Sequence, residues 1–263
     1  MSASGNNFIV IDNHENIVQR PKDFAAKVCK SNAVDGVLFI ENPKQSSEEF
    51  YMRIINADGS EAEACGNGYR CVGLYAKEHL NIQNPNFIRV GTLGGPVEIA
   101  VNSPEAIKVK MIEPTDYRNN IDINLEPISL KGGFINTGVP HVVIFQESLG
   151  QIPVVEWGRK IRNYKEFQPN GANVNFVEVT GNSSLSIRTY ERGVENETGA
   201  CGTGAVASAI IASLNGHVKP PVAVTPTSGE SLKVYFKQSN NWIKDVYLEG
   251  PAKFISERGN LSN

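Results

Sequence analysis

The sequence predicts an α+β fold of two pseudo-symmetric lobes, each a curled, mainly antiparallel sheet around one central helix. Three observations carry that expectation. First, the chain contains an internal echo: "RIINADGSEAEACGNG" from Arg53 is answered by "RTYERGVENETGACGTG" from Arg188. Each reads as a short apolar strand, an acidic turn, a cysteine, a glycine pair and a helix, and a repeat at this separation points to two similar units. Second, short β-branched and aromatic runs follow one another closely with few helices between them, the pattern of antiparallel sheets rather than alternating βαβ units. Third, the helix after each cysteine is apolar or small around most of its circumference, which requires burial on nearly every face.

Taken in order, "NNFIVID" (6–12), "DGVLFIE" (35–41) and "FYMRIIN" (50–56) read as strands, with "KDFAAKVC" as a helix between the first two. The first cysteine motif then leads into "YRCVGLYAKEHLN" (69–81), a helix. "NFIRVGT", "GPVEIAV" and "AIKVKMI" continue as strands separated by Gly, Pro and Ser turns. Apolar content falls across "EPTDYRNN" (113–120), which marks the expected boundary between 1–113 and the second lobe, 114–251. That lobe repeats the style with strands "GGFINTG", "HVVIF", "NVNFVEV", "SLSIRTY", "SLKVYF" and "DVYLEGPAKFI". Its helix, "AVASAIIASLNG", ends at an Asn215-Gly216 stop.

Composition narrows the function. At 263 residues the chain has room for two domains of about 130 residues each. A net charge of −3 gives no electrostatic reason to expect nucleic acid or an anionic membrane as partner. No basic-then-apolar leader opens the sequence and no apolar run approaches the ~18–20 residues of a membrane span. The expected location is therefore the cytoplasm, and the expected partner a small molecule. The four cysteines form no C-x-x-C pair and no Cys/His cluster at zinc spacing, so free thiols and no metal are expected.

The chemistry concentrates where cysteine meets Gly-x-Gly. The first turn of a helix leaves backbone N–H groups without partners and carries a partial positive charge. Glycines there let an anion approach closely, so Gly66, Asn67 and Gly68, or Gly202, Thr203 and Gly204, form a cradle for a carboxylate or phosphate. A thiol in that field is expected to have its pKa lowered toward neutrality. One such cysteine is equally a buried small hydrophobe; two at matching positions point to function. Two thiols facing each other across a cleft suit one reaction. One removes a proton from a carbon and the other delivers a proton to the opposite face.

These motifs resemble those of the diaminopimelate epimerase family of pyridoxal-independent amino-acid epimerases. The resemblance rests on "NADGSEAEACGNGYR" and "YERGVENETGACGTGA", and "SGNNF", "VDGVLFIE", "TGVPHVV" and "FQPNGANVNFVEV" extend it over essentially the whole chain. It implies that Cys65 and Cys201 are the catalytic acid and base, Cys201 taking the proton from the L-centre. It implies that His141 and Glu191 tune the thiols, and that Asn6, Asn56, Asn173, Glu191 and Arg192 read the distal end of the substrate. Gly66, Asn67, Gly202 and Thr203 would hold the reacting carboxylate through their backbone. It further implies no cofactor, a homodimer, and a last strand at 252–263 that returns to the first lobe.

Plainer readings stand beside these roles. His141 also suits a space-filling ring beside a strand, Glu191 and Arg192 a solvated turn, and Asn56 the turn "NADG". Val139 departs from the family, which commonly has Asn there, and the loop "GVENETGAC" is one residue longer than the commonest form. The implied function is the interconversion of LL- and meso-diaminopimelate. Alternatives are a cofactor-independent racemase of histidine or glutamate, a single-cysteine hydrolase using His141, and a binding protein that has lost catalysis.

Overall fold

A computed structural model describes residues 1–239 and 242–256. The chain forms two compact units, one comprising Met1–Val109 and the chain from Gly250 onward, the other Lys110–Glu249.

Unit 1 contains β1 (Ser2–Ala3), β2 (Asn6–Asp12), α1 (Pro21–Asn32), β3 (Gly36–Glu41), β4 (Phe50–Asn56), β5 (Glu61–Ala62), α2 (Gly66–His79), β6 (Ile88–Gly91), β7 (Val97–Ser103) and β8 (Ala106–Lys110). Unit 2 contains β9 (Thr115–Asn124), β10 (Ser129–Asn136), β11 (Pro140–Phe145), α3 (Val154–Arg162), β12 (Asn173–Gly181), β13 (Ser184–Glu191), β14 (Asn196–Thr198), α4 (Gly202–Leu214), β15 (Val222–Thr225), β16 (Leu232–Ser239) and β17 (Trp242–Gly250).

The two units repeat one topology. In unit 1, β2 crosses over through α1 to the parallel β3, which turns back into β4. β4 makes a short hairpin with β5, passes through α2 to the parallel β6, and a meander of β6, β7 and β8 follows. In unit 2, β11 crosses through α3 to the parallel β12, then β13, the β14 hairpin, α4, the parallel β15, and the meander to β17. Other pairings within the units are antiparallel, including β1 with β2 and β9 with β10 and β10 with β11.

Among the described residues, each unit has two α-helices with different tasks. α1 starts with Pro21 at its first turn, where a missing N–H costs nothing, and ends at Ala33 in the left-handed region. It buries Ala25 and Cys29 against Ile11, Val37, Phe39 and Ile55 on the outer face of its sheet. α3 does the same, its Val154 and Ile161 packing with Val142, Ile144, Val174 and Phe176. α2 and α4 are the central helices, buried along Asn67–Ala76 and Gly204–Ser213 respectively. Around α4 pack Ile135, Val143, Val177, Leu185, Ile187, Val222 and Leu248. The strands thus serve two layers: even positions 142, 144, 174 and 176 face α3, and odd positions 143, 177, 185 and 187 face α4.

The sequence expectations differ from this in several respects, beginning with the short strands β5, β14 and β15, which they do not include. The strand β9 runs through the stretch expected as a boundary; its residues are mostly exposed, so the apolar signal of a strand is missing. Helix α3 lies in "VVEWGRKIR", where the sequence reading of the second half expects only the helix after Cys201. Of the segment 252–263, Lys253 pairs with Ser2 through a single bridge, and 257–263 lie outside the described residues. Among the described residues, no helix is long and apolar enough to cross a membrane.

One paired interaction braces the repeated hairpins. Arg53 donates from Nε to Glu61 Oε1 at 2.7 Å and from Nη2 to Oε2 at 2.9 Å. Arg188 donates in the same fork to Glu197, at 2.8 and 2.7 Å. Each arginine opens its motif, and each glutamate precedes its cysteine by the same interval. Planar two-bond pairing is both strong and directional. The arginine hydrogen bonds hold Glu61 and Glu197 below the usual carboxylate range. A depressed carboxylate pKa adds stability at neutral pH and loses it as pH falls through the acid range. Glu197→Gln is therefore expected to lower the unfolding free energy by about 1–2 kcal/mol at pH 7. It should also flatten the loss of stability on acidification from pH 5 to 3, as read by urea denaturation at stepped pH.

Candidate active site

Both repeated cysteines are helix N-caps. Cys65 is extended at φ −155° and ψ 105°, and Cys201 at φ −126° and ψ 109°. In each unit the cysteine carbonyl accepts the first helical hydrogen bond, from Tyr69 N in one and Ala205 N in the other, both at 2.9 Å. The helices therefore begin at Gly66 and Gly202, directly after the cysteines, and the Gly-x-Gly segments form their first turns. The third position after each cysteine is closely packed. A Cβ on Gly204 would collide with Asn175 Oδ1, and one on Gly68 would press on Met52 and Leu38. All four cysteines are free thiols.

In unit 1, Cys65 is half-buried and its Sγ accepts from Gly68 N at 3.3 Å. The buried Arg70 donates from Nη2 to Asn67 Oδ1 and to Ser4 Oγ, both at 2.7 Å. A guanidinium only donates, which fixes the Asn67 amide: its Nδ2 must donate, and does so to Asn6 Oδ1 at 2.6 Å. Asn6 accepts through its carbonyl, so the donor end of this chain is the Asn6 NH2 group. Asn56 stands apart from this network at the exposed end of β4, where its Nδ2 donates to Ser60 Oγ at 2.9 Å. That contact is the turn bond that "NADG" suggests.

In unit 2, strand alternation and register assemble the other expected residues. His141 lies opposite Asn173, and Asn175 opposite Thr189. These residues share the parity of Val143, Val177 and Ile187, so their side chains lie on the α4 face, as does that of Glu191. Asn173 Oδ1 accepts from Arg192 N at 2.8 Å, and its Nδ2 donates to Pro140 O at 3.3 Å. Arg192 donates from Nη1 to Asn170 O at 3.0 Å, and Glu191 accepts from Thr198 Oγ1 at 2.9 Å. His141 Nε2 lies 3.0 Å from Thr203 Oγ1, which lies 3.4 Å from Cys201 Sγ.

The electrostatics of Cys201 overturn one expectation. The thiol is not lowered toward neutrality; it is pushed up to about 12, first by burial and then by the charge of Glu191. Thr203 and the amides of Gly204 and Thr203 pull the other way, although no full cap hydrogen bond to the sulfur is made. The helix-end field is present, but desolvation of the thiolate and a neighbouring carboxylate outweigh it. Burial likewise raises Glu191 above the usual carboxylate value. His141, fully buried, is depressed to about 3 by burial and by Arg192, so its ring is neutral. Its contacts are accordingly the hydrogen bonds of a neutral ring, to Thr203 Oγ1 and to the Asn175 amide.

Arg70, Asn175 and Thr189, which the sequence reading does not single out, join the hydrogen-bond networks of the expected site residues. Asn175 and Thr189 each had a signal. They are polar letters inside otherwise apolar strands, at even spacing from Asn173 and Glu191. Among the described residues, no group of three or more His, Cys, Asp or Glu side chains is placed to hold a metal ion.

Comparison with known proteins shows which families this chain resembles. The family model for diaminopimelate epimerase matches residues 1–116 and 133–255. The diaminopimelate epimerase of Hydrogenobaculum sp. is 40% identical over 97% of the chain and 95% of the relative. That of Aquifex aeolicus is 38% identical over 100% of the chain and 96% of the relative. Among solved structures, a Bacillus anthracis phenazine biosynthesis protein of the PhzF family matches with a TM-score of 0.68 at 14% identity, over 95% of the chain and 92% of its own. A hydroxyproline epimerase from Agrobacterium vitis, solved with bound trans-4-hydroxy-L-proline, matches with a TM-score of 0.62 at 17% identity, over 83% and 73%. At that identity the two structures share the α+β fold with this chain.

The raised Cys201 pKa has a measurable consequence. In the ligand-free protein, alkylation of Cys201 by iodoacetamide should rise with pH along a curve whose inflection lies well above the ordinary thiol value. Glu191→Gln, which removes the repelling charge, should move that inflection to lower pH. Peptide mapping by mass spectrometry at stepped pH checks both, and an inflection at or below the ordinary value contradicts the electrostatic account.

Proposed function

The chain belongs to the diaminopimelate epimerase family, and on that premise we propose that it interconverts LL- and meso-2,6-diaminopimelate in lysine and peptidoglycan precursor biosynthesis. The observation that carries this reading is the repetition of one device. Each unit delivers a cysteine as the N-cap of a buried helix, braced by an Arg–Glu fork in the preceding hairpin. Inverting a carbon by two-base transfer needs a proton-handling group on each face, and a duplicated unit supplies one from each copy.

The α-proton of an amino acid is much less acidic than a thiol, so a base alone does not make the reaction fast. The amides of Gly66, Asn67, Gly202 and Thr203 are donors fixed before the substrate arrives. Donors aimed at the substrate carboxylate stabilise the negative charge that develops as the proton leaves, and preorganised donors of this kind contribute several kcal/mol. In this reading the carbanion is held by these donors and by the retained ammonium, with no electron-sink cofactor.

Cys201 and Cys65 act on opposite faces of the α-carbon. The ligand-free protein carries a proton on Cys201, so that thiol starts as the acid, the form that protonates toward the L-configuration. The reverse direction needs a Cys201 thiolate. The substrate ammonium, or a proton on Glu191, relieves the Glu191 repulsion, the second of the two causes, after burial, that keep Cys201 protonated. His141 and Glu191 are accordingly the tuning groups. Asn6, Asn56, Asn173, Glu191 and Arg192 read the distal amino-acid end. A cytoplasmic location, expected from composition, and a homodimer, implied by the family resemblance, complete the reading.

Incubation with LL-diaminopimelate in heavy water, followed by NMR, tests this function. Deuterium at one α-carbon together with formation of the meso isomer is expected. Lysine, histidine and glutamate should exchange far more slowly, because a site built to pair polar groups leaves its own groups unsatisfied when the substrate lacks them. Arg192→Met should lower kcat/KM for diaminopimelate by about a hundredfold or more. A single amino acid that exchanges as fast as diaminopimelate would instead establish a general racemase.

A further inference from the structure

Four side chains of unit 2 form a continuous hydrogen-bonded line that ends on Cys201. Asn175 starts it. Its Nδ2 donates to Val142 O at 3.0 Å, while its Oδ1 accepts from Thr189 Oγ1 at 3.0 Å. A backbone carbonyl only accepts, so the orientation of this buried amide is fixed. The same NH2 group faces His141 Nδ1 at 3.1 Å. Nδ1 must therefore be the accepting nitrogen, and the ring proton resides on Nε2. Nε2–H points at Thr203 Oγ1, 3.0 Å away, so the hydroxyl oxygen accepts there. The hydroxyl has one proton, and its other neighbour is Cys201 Sγ at 3.4 Å.

We propose that Thr203 acts through its side chain as well as its backbone: with His141 locked by Asn175 as the Nε2–H tautomer, the Thr203 hydroxyl is left with Cys201 as its donor target and holds the thiolate form of that residue. Thr203 touches the reacting sulfur; His141 and Asn175 are positioning residues that act through it. The inference rests on the reading of Cys201 as a proton-transfer group, and it gives the neutral His141 a task that needs no charge. It also accounts for the glycine at position 204, since any side chain there would displace Asn175.

The titratable and charged groups facing this line are few. Glu191 at the end of β13 opposes the thiolate, and Arg192 acts on His141. The Thr203 donor is one of the groups that works against burial and Glu191, so its loss should appear as a smaller thiolate fraction at Cys201.

The test measures iodoacetamide alkylation of Cys201 at fixed pH between 8.5 and 10, with Cys65 followed in the same digests. Thr203→Val keeps the shape and removes the hydroxyl, and should slow Cys201 alkylation by about tenfold. Thr203→Ser should restore the wild-type rate, and Cys65 should be unchanged in both. Asn175→Leu leaves Thr203 in place but releases the tautomer; it should give part of the same fall and nothing beyond it in the Thr203→Val background. A wild-type rate in Thr203→Val, a fall that Thr203→Ser does not reverse, or an equal change at Cys65 overturns the proposal. The assay needs no turnover, so it fails independently of the epimerase reading, which fails if Cys201→Ala still epimerises.

Discussion

A helix buried around its whole circumference meets a ligand only at its ends. That constraint organises both units of this protein. The sheets close around α2 and α4 so completely that their apolar flanks are spent on packing, leaving the first turn as the place where polar chemistry is available. A helix N-terminus offers amide donors and a partial positive charge. Each unit places a cysteine at the cap and glycines in the turn, and each braces the approach with an Arg–Glu fork. The catalytic proposal follows from duplicating that one solution.

Burial is also what makes the chemistry difficult. The features that exclude water from Cys201 raise its pKa, and Glu191 raises it further. The helix-end amides and the Thr203 hydroxyl oppose this without reversing it. A site in that balance responds to small changes of local charge, such as an arriving ammonium group or a proton on Glu191. Fully buried and neutral, His141 fits the balance as a hydrogen-bond partner, since a cationic imidazole there would itself have to be desolvated.

Most of the architecture was legible in the sequence, and the failures have physical causes. The central helices were visible because a segment apolar on all sides has few other folds open to it. The parallel crossovers were not, because hydrophobic spacing reports which face of a strand is buried and not which strand lies beside it. α3 was missed even though Val154, Trp157, Gly158 and Ile161 follow helical spacing; its counterpart α1 had been recognised, and the repeat itself called for a second. β9 carries little apolar periodicity because most of its residues are exposed. At the site, Cys65 and Cys201 stood out through repetition, whereas Asn175 and Thr189 became meaningful only through register, which brings them opposite one another beneath α4. The sign of the Cys201 shift was unreadable in principle: the sequence shows the helix end but not how much water or negative charge surrounds the sulfur.

The central claim is that one thiol from each repeat serves one face of the same carbon. The most direct measurement follows both epimerisation and deuterium entry from heavy water with LL- and meso-diaminopimelate in Cys65→Ala and Cys201→Ala. The account predicts that net inversion is lost in both variants, with any residual exchange confined to a single configuration and opposite between the two. Inversion near the wild-type rate in either variant would contradict it.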